Sequence, residues 1–172
     1  MTGFRRAAVL RAGAVLALVT VGLAVLHGWL WSTIAPGVQY QVFANQTWAP
    51  LPTETQHLFF AFALFAVVGL FVGVILAVLG WSFVDTRGPV MIALLGVLAF
   101  LGALAAGWFG RAWVTGTDPA SVATTVGAQR IVTAPAVLTG WAGYLAAPLT
   151  AVMVYTFLVS WNGLPDLGRG RT

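Results

Sequence analysis

Glu54 and His57 are the side chains whose types and spacing could best support chemistry in this sequence. A Glu-x-x-His pair places a carboxylate and an imidazole one helical turn apart, and such a pair can bind a metal ion when other helices supply matching ligands. The remaining candidate ligands are His27 and Asp118, which form a sparse set. The serines have no histidine–carboxylate arrangement that indicates a nucleophile, and the absence of cysteine excludes thiol catalysis and thiolate metal sites.

A structural role for Glu54 and His57 fits the sequence better than catalysis. We expect Thr53 to be the N-cap of a helix and Glu54 to lie in its first turn, where a negative charge interacts favourably with the helix dipole. Alternatively, Glu54 forms an ion pair with Arg111 or Arg130. The sequence therefore predicts no catalytic, cofactor-binding or metal-binding residue.

The chain contains four apolar stretches, and each is long enough to cross a bilayer. They cover residues 12–34, 58–84, 90–114 and 137–161. A hydrocarbon core of about 30 Å needs about 20 apolar residues in a helix, and backbone groups cannot remain unpaired within it. A composition of 60% hydrophobic and 7% charged residues excludes an ordinary soluble domain. The sequence predicts one all-α integral membrane domain over residues 1–172, a bundle of four transmembrane helices.

The basic residues are all arginines, and their distribution predicts the topology. Six lie on one side of the predicted helices and two on the other, namely Arg5, Arg6, Arg11, Arg87, Arg169 and Arg171 against Arg111 and Arg130. By the positive-inside rule, both termini lie in the cytoplasm of a multi-pass protein of the plasma (inner) membrane. The net charge of +4 thus reflects topology and indicates no nucleic-acid partner. We interpret Arg87, Arg111 and Arg130 as structural polar residues.

The two external segments contain patterns typical of strands. These segments are residues 35–57 and 115–136. In residues 38–42, valine and tyrosine alternate with glutamine, which is the period of a half-buried strand. Residues 122–126 and 129–133 flank Gly127-Ala128, and we expect them to form a hairpin. The sequence predicts a small extracytoplasmic β-rich cap of two to four strands; the alternative is an ordered loop without ladders.

Small residues recur four positions apart in the apolar stretches, and this spacing lets helix backbones approach closely in lipid. The candidate helix-packing or partner-contacting residues are Gly69, Gly73, Gly102, Ala106, Gly110, Gly143 and Ala147. We interpret them mainly as contacts within one bundle; the alternative is that one face docks onto another membrane protein. Pro148 is expected to bend the fourth helix in its middle. Tryptophans near the predicted helix ends are expected to anchor at the interface, namely Trp29, Trp31, Trp81, Trp113, Trp141 and Trp161.

Two stretches at the ends of the second helix, together with the helices around them, have a recognisable pattern. They are Glu54 with His57-Leu58-Phe59-Phe60, followed by Gly69, Trp81 and Arg87-Gly88-Pro89-Val90-Met91. Over roughly residues 12–161, and with Ala35-Pro36 and Ala134-Pro135 in corresponding places, the chain resembles DUF2567, a family of actinobacterial membrane proteins. The resemblance implies an accessory role beside the permease subunits of an Mce-type lipid importer. It supplies no catalytic residues.

The leading hypothesis is a non-enzymatic accessory or stabilising subunit of a multi-subunit envelope complex, in contact with other integral membrane subunits and lipids. Two features support it: the central parts of the predicted helices lack Asp, Glu, Lys and Arg, residues that mark ion and proton paths, and the small-residue faces exceed what one four-helix bundle needs. His27 is the deepest titratable group and is expected to hydrogen-bond locally. The alternatives are a stand-alone small transporter or lipid-binding protein, and an intramembrane enzyme that uses Glu54 and His57.

Overall fold

The computed structural model describes residues 2–52, 54–124 and 130–161. Its four long helices are α1 (Thr2–Ile34), α2 (Thr55–Ser82), α3 (Pro89–Trp113) and α5 (Ala146–Trp161), with a short α4 (Pro119–Ala123) between the last two. A 3-10 turn, Ala142–Leu145, leads directly into α5, and another, Val84–Thr86, links α2 to α3. The helices α1, α2 and α3, and α5 together with the 3-10 turn before it, are apolar and long enough to cross a membrane, which confirms the predicted helix count.

The predicted start of the last helix at residue 137 is wrong. The chain enters helical geometry only at Ala142, because Gly140 has a positive φ of 78°, which interrupts a regular helix. The expected bend at Pro148 is also wrong. Since α5 begins at Ala146, Pro148 lies in its first turn, where a missing N–H breaks few helical hydrogen bonds.

The four long helices form a bundle in which neighbours along the chain are not the main partners. Helix α1 packs most extensively against α3, and α2 against α5; α3 also contacts α5, and α1 contacts α2. Helices α2 and α3 are joined by a short turn and meet near it, where Gly80 faces the side chain of Leu95. They therefore form a connected hairpin whose two arms pack mainly against other helices.

A three-stranded antiparallel sheet covers one end of the bundle. It consists of β1 (Val38–Val42), β2 (Trp48–Pro50) and β3 (Arg130–Ala134), with β1 in the centre. The register pairs Val38 with Ala134 and Tyr40 with Val132. We call this end of the bundle the cap end and the end with the Val84–Thr86 turn the turn end.

The prediction of a small sheet is confirmed, but the predicted hairpin between residues 122–126 and 129–133 is wrong. Val122 and Ala123 belong to α4, which starts where the Asp118 carboxylate accepts a hydrogen bond from the Ala120 amide at 3.0 Å. Strand β3 pairs with β1 instead. Val122 and Ala123 are buried with Val42 and Val132 in a small apolar core under the sheet. The expected turn at Gly127-Ala128 lies outside the described residues.

Candidate functional site

Glu54 and His57 form a polar junction between the cap and the start of α2. Glu54 is 6% exposed, and its Oε2 lies 2.6 Å from Nδ1 of His57. The same oxygen accepts a hydrogen bond from the Gln39 amide of β1 at 2.9 Å. Nδ1 of His57 also lies 3.1 Å from the carbonyl oxygen of Gly37. Because both neighbours of Nδ1 are acceptors, this nitrogen carries the proton and donates it.

This geometry differs from the two arrangements expected for Glu54. Glu54 occupies the N-cap position of α2, yet its carboxylate bonds to β1 and His57 rather than to a helix amide. Thr53, the expected N-cap, lies outside the described residues. The predicted ion pair with Arg111 or Arg130 is wrong, since Glu54 pairs with His57. Through these hydrogen bonds, the junction fixes the direction in which α2 leaves the sheet.

The two arginines near the cap end have other surroundings. Arg111, near the end of α3, donates from Nη1 to the Tyr144 hydroxyl at 2.9 Å. The Tyr144 ring lies edge-on to Phe65, with ring centroids 5.4 Å apart. Arg130 begins β3 opposite Val42 and is exposed. Arg111 therefore ties α3 to the segment that enters α5, a contact that the sequence did not indicate.

The four side chains considered as metal ligands are not brought together. His27 lies inside the bundle and Asp118 caps α4, while Glu54 and His57 bond to each other and to β1. Within residues 2–52, 54–124 and 130–161, no group of three or more His, Asp or Glu side chains could hold a metal ion.

Two side chains of α1, one turn apart, bind backbone carbonyls of α2, and we call them the α1–α2 clamp. Nε2 of His27 lies 3.1 Å from the Phe65 carbonyl oxygen, and Nε1 of Trp31 donates to the Ala61 carbonyl at 2.8 Å. The His27 ring also packs on the Phe65 ring, with centroids 4.3 Å apart. His27 is 2% exposed and Trp31 0%. Each carbonyl thus satisfies the ring nitrogen that faces it, Nε2 of His27 and Nε1 of Trp31.

The clamp corrects one expectation and specifies another. Trp31 was expected at the membrane interface with the other tryptophans, but it is buried and holds two helices together. His27 was expected to hydrogen-bond locally, and the acceptor is a backbone carbonyl of the neighbouring helix α2. The four-residue spacing of His27 and Trp31 is the signal that could have revealed the clamp, since residues i and i+4 share one helix face.

The small residues of α3 lie against α1. A Cβ atom added to Gly28 would lie 2.6 Å from the carbonyl oxygen of Ala106, and one added to Gly110 would lie 2.6 Å from the Trp31 ring. A Cβ added to Gly102 would likewise meet the Thr20 side chain at 2.6 Å. Gly102, Ala106 and Gly110 therefore form the seam at which α1 and α3 cross closely.

The small residues of α2 lie against α5. A Cβ on Gly73 would lie 2.5 Å from the Ala147 carbonyl oxygen, and one on Gly69 would make ordinary contact with Ala146 at 3.4 Å. Gly143 faces the Phe62 ring, and Ala147 is 1% exposed. All seven candidate packing residues thus face neighbouring helices of this chain.

Arg87 organises the turn end. Its Nε donates to the Trp81 carbonyl at 3.0 Å, and its guanidinium carbon lies 4.8 Å from the centroid of the Trp81 ring. The next residue, Gly88, has a φ of 143° and donates its amide to the buried Tyr155 hydroxyl at 3.3 Å. Gly88 supplies a backbone conformation that L side chains rarely adopt, and Tyr155 holds it against α5. The turn is therefore anchored to two helices.

Comparison of the chain with protein-family models, with curated proteins and with solved structures finds no match.

Proposed function

We propose that this protein is a multi-pass membrane protein that acts as a non-enzymatic accessory and stabilising subunit of a multi-subunit envelope complex. Each of its four long helices carries large apolar side chains on its outer surface, such as Leu18 (75% exposed), Phe71 (66%) and Met153 (67%). An apolar surface of this extent around a whole bundle is unusual for a monomeric soluble protein and suits contact with lipid or with another membrane protein.

The spacing of polar and aromatic side chains along the helices supports insertion. In α1, 18 residues separate Arg11 from the half-exposed Trp29 (29 − 11), which corresponds to about 27 Å at about 1.5 Å per residue. In α2, 21 residues separate Phe60 from Trp81 (81 − 60), or about 32 Å. Both distances are close to the thickness of a hydrocarbon core, about 30 Å. We further propose that the turn end faces the cytoplasm, because Arg11 and Arg87 lie there.

The observation that carries the accessory role is the use of polar side chains inside the bundle. Among the described residues, His27 and Trp31 hydrogen-bond to backbone carbonyls of α2 and so hold two helices together. Thr20 donates its hydroxyl proton to the Leu16 carbonyl within α1. The surrounding centre is filled by apolar side chains such as Leu16 and Leu95, both 0% exposed. Ion and proton paths need ionisable groups that face a hydrated cavity. This arrangement favours a protein that braces a complex.

The partner is proposed from the resemblance to DUF2567 and to the mycobacterial lipid uptake coordinator LucB within that family. That resemblance rests on the residues around α2 and α3 given above. It suggests that the partners are permease and Mce subunits of a lipid (fatty acid) importer. Because the glycine faces of α2 and α3 are occupied by α5 and α1, such a partner is expected on the outer helix surfaces or on the cap.

Affinity purification from native membranes tests this proposal. The chain is tagged at its chromosomal locus, extracted in mild detergent and analysed by mass spectrometry beside an unrelated four-helix membrane protein with the same tag. We expect permease and Mce subunits to be enriched only with the chain. Recovery of the chain alone, from membranes in which the importer is present, would contradict the proposal and favour a stand-alone transporter or lipid-binding protein.

A second measurement separates the accessory role from catalysis. The variant Glu54→Gln, His57→Gln removes both groups that could act as acid or base. Where this variant accumulates to the wild-type level, an accessory subunit should still support assembly of the complex. Loss of lipid uptake at normal protein level and with an assembled complex would indicate an enzyme.

A further inference from the structure

A groove at the turn end combines charges of both signs at the expected depth of lipid head groups. It has a volume of about 360 Å³ and lies between the first turns of α1 and the turn that links α2 to α3. Among the described residues, its lining includes Arg11, Ser82, Asp85 and Thr86. Taking about 30 Å³ per water in the liquid, the groove holds the volume of about a dozen waters, enough for a lipid head group.

The two charged side chains of the groove are exposed and do not neutralise each other. Arg11 and Asp85 form no ion pair with each other, although both line the same space. Ser82 and Thr86 donate their hydroxyl protons to carbonyls of the preceding turn, to Leu79 at 2.6 Å and to Phe83 at 3.1 Å. Their oxygens therefore remain acceptors on the side where Asp85 also accepts. Arg11 can therefore donate to an anion from one wall of the groove, and Asp85, Ser82 and Thr86 can accept from a cation on the other.

Apolar side chains flank both charged residues. Leu10, next to Arg11, is 73% exposed, and Val84, next to Asp85, is 51% exposed. Since Arg11 lies about 27 Å below Trp29 along α1, this region falls at the boundary between hydrocarbon and water. Arginine and aspartate here can reach head groups while leucine and valine contact acyl chains. The surroundings thus suit a molecule that is polar at one end and apolar along its length.

From this arrangement we infer that the groove binds the head group of a zwitterionic phospholipid with a primary amine, phosphatidylethanolamine. Arg11 donates to the phosphate, and the ammonium group donates to Asp85 and to the hydroxyl oxygens of Ser82 and Thr86. Phosphatidylcholine brings a cation but has no N–H, so it donates no hydrogen bond to Asp85, Ser82 or Thr86. Phosphatidylglycerol brings an anion to Arg11 but offers no cation to Asp85. The inference rests on the proposed insertion of the chain in a membrane and not on the proposed partner.

Native mass spectrometry of the purified full-length protein with each lipid in turn tests the inference. We expect phosphatidylethanolamine to be retained about tenfold more than phosphatidylcholine, the ratio that corresponds to about 1.4 kcal/mol and to one hydrogen bond with a charged group. The N-methylated ethanolamine lipids should show retention that falls as N–H donors are removed. Equal retention of phosphatidylethanolamine and phosphatidylcholine, or a preference for phosphatidylglycerol, overturns the inference.

Two variants and a matched control assign the effect to the groove. Arg11→Gln should reduce retention of phosphatidylethanolamine to the phosphatidylcholine level, and Asp85→Asn should abolish the discrimination between the two lipids. Arg6→Gln removes an exposed arginine of the same helix that does not line the groove, so it should behave as wild type. Unchanged lipid selectivity in both groove variants overturns the inference.

Failure of this site and failure of the proposed function give different results. Alkaline carbonate extraction of membranes reports whether the chain is inserted. A chain that stays in the membrane yet shows no lipid preference loses the lipid site but keeps the proposed role. A chain that is extracted by carbonate contradicts the proposed function itself.

Discussion

The close crossings of α1 with α3 and of α2 with α5 predict that alanine at two glycines is strongly destabilising, while alanine at a third is harmless. A Cβ at Gly73 would lie 2.5 Å from the Ala147 carbonyl oxygen, and a Cβ at Gly28 would lie 2.6 Å from that of Ala106. Both obstacles are backbone atoms, which cannot rotate away. A Cβ at Gly22 would have no neighbour within 4 Å, although Gly22 lies in the same apolar helix as Gly28.

The expected magnitude follows from the separation that the new methyl group requires. Ordinary van der Waals contact begins near 3.4 Å, so each helix pair must move apart by about 1 Å. A gap of this size loses about a quarter to a half of the dispersion energy of each contact across the interface. Overpacking of this kind typically costs about 1–3 kcal/mol. Relative to a glycine-to-alanine change that makes no new contact, the unfolding equilibrium should therefore shift about 5- to 150-fold for Gly28→Ala and for Gly73→Ala.

Reversible unfolding in mixed micelles of mild detergent and dodecyl sulfate, followed by circular dichroism, measures these differences. Gly22→Ala is the control, because it has the same gain in helix propensity, up to about 1 kcal/mol, and makes no new contact. It should leave stability unchanged or slightly higher. Wild-type stability of the Gly73 variant, or an equal loss in the Gly22 variant, would show that the close crossings do not hold this bundle together.

Three further predictions concern the clamp, the polar junction and the topology. Trp31→Phe removes the hydrogen bond to an α2 carbonyl and should lower the free energy of unfolding by about 1–3 kcal/mol. Trp29→Phe, on the exposed face of the same helix, should change it by less than about 0.5 kcal/mol. Equal effects of the two substitutions would contradict the clamp. Glu54→Ala should speed hydrogen exchange of the β1 amides without affecting the centre of α3, and unchanged exchange would show that the junction does not hold the sheet. Since the chain contains no cysteine, single cysteines report topology: Ala7→Cys should react with a membrane-impermeant maleimide only in opened cells, and Ala44→Cys in intact cells. The reverse pattern would place the cap in the cytoplasm.

The sequence predicted the long helices well because their signal is local. Twenty successive apolar residues indicate a spanning helix whatever the rest of the chain does. The helix ends depend on single residues and were predicted less well. The positive φ of Gly140 delays the last helix to Ala142, and Pro148 then falls in a first turn instead of a helix centre.

The cap shows where local patterns stop being sufficient. Alternation in residues 38–42 predicted β1 correctly, because it depends on one buried face. The partner of β3 could not be read from neighbouring residues, since pairing with β1 brings together segments about 90 positions apart. The start of α4 was available in the sequence, however. Asp118 followed by Pro119 is a typical N-cap and first helical position, and it outweighs the strand propensity of Val122.

For the residues proposed for function, the sequence likewise identified the residues but not their contact partners. Small residues at four-residue spacing marked the faces on which helices meet, but not which helices meet there. Glu54 was correctly singled out as a polar group in need of a partner, yet its partners are decided by how β1 and α2 converge. The buried position of Trp31 is likewise a property of the bundle, because the same residue type at Trp29 is half exposed.

The pairing of α1 with α3 also has a consequence for how the chain is made. Gly28 and Gly110, which meet at this crossing, are 82 residues apart (110 − 28). At a synthesis rate of about 5–20 residues per second, α1 waits about 4–16 s before the matching part of α3, its main partner, is synthesised. During this interval the α1 surface around Gly28 lacks the helix that covers it in the finished bundle, whereas His27 can already reach its acceptor on α2. A nascent chain stopped after α2 should therefore leave this α1 surface uncovered, and a helper that shields it until α3 is made should raise the yield of this protein.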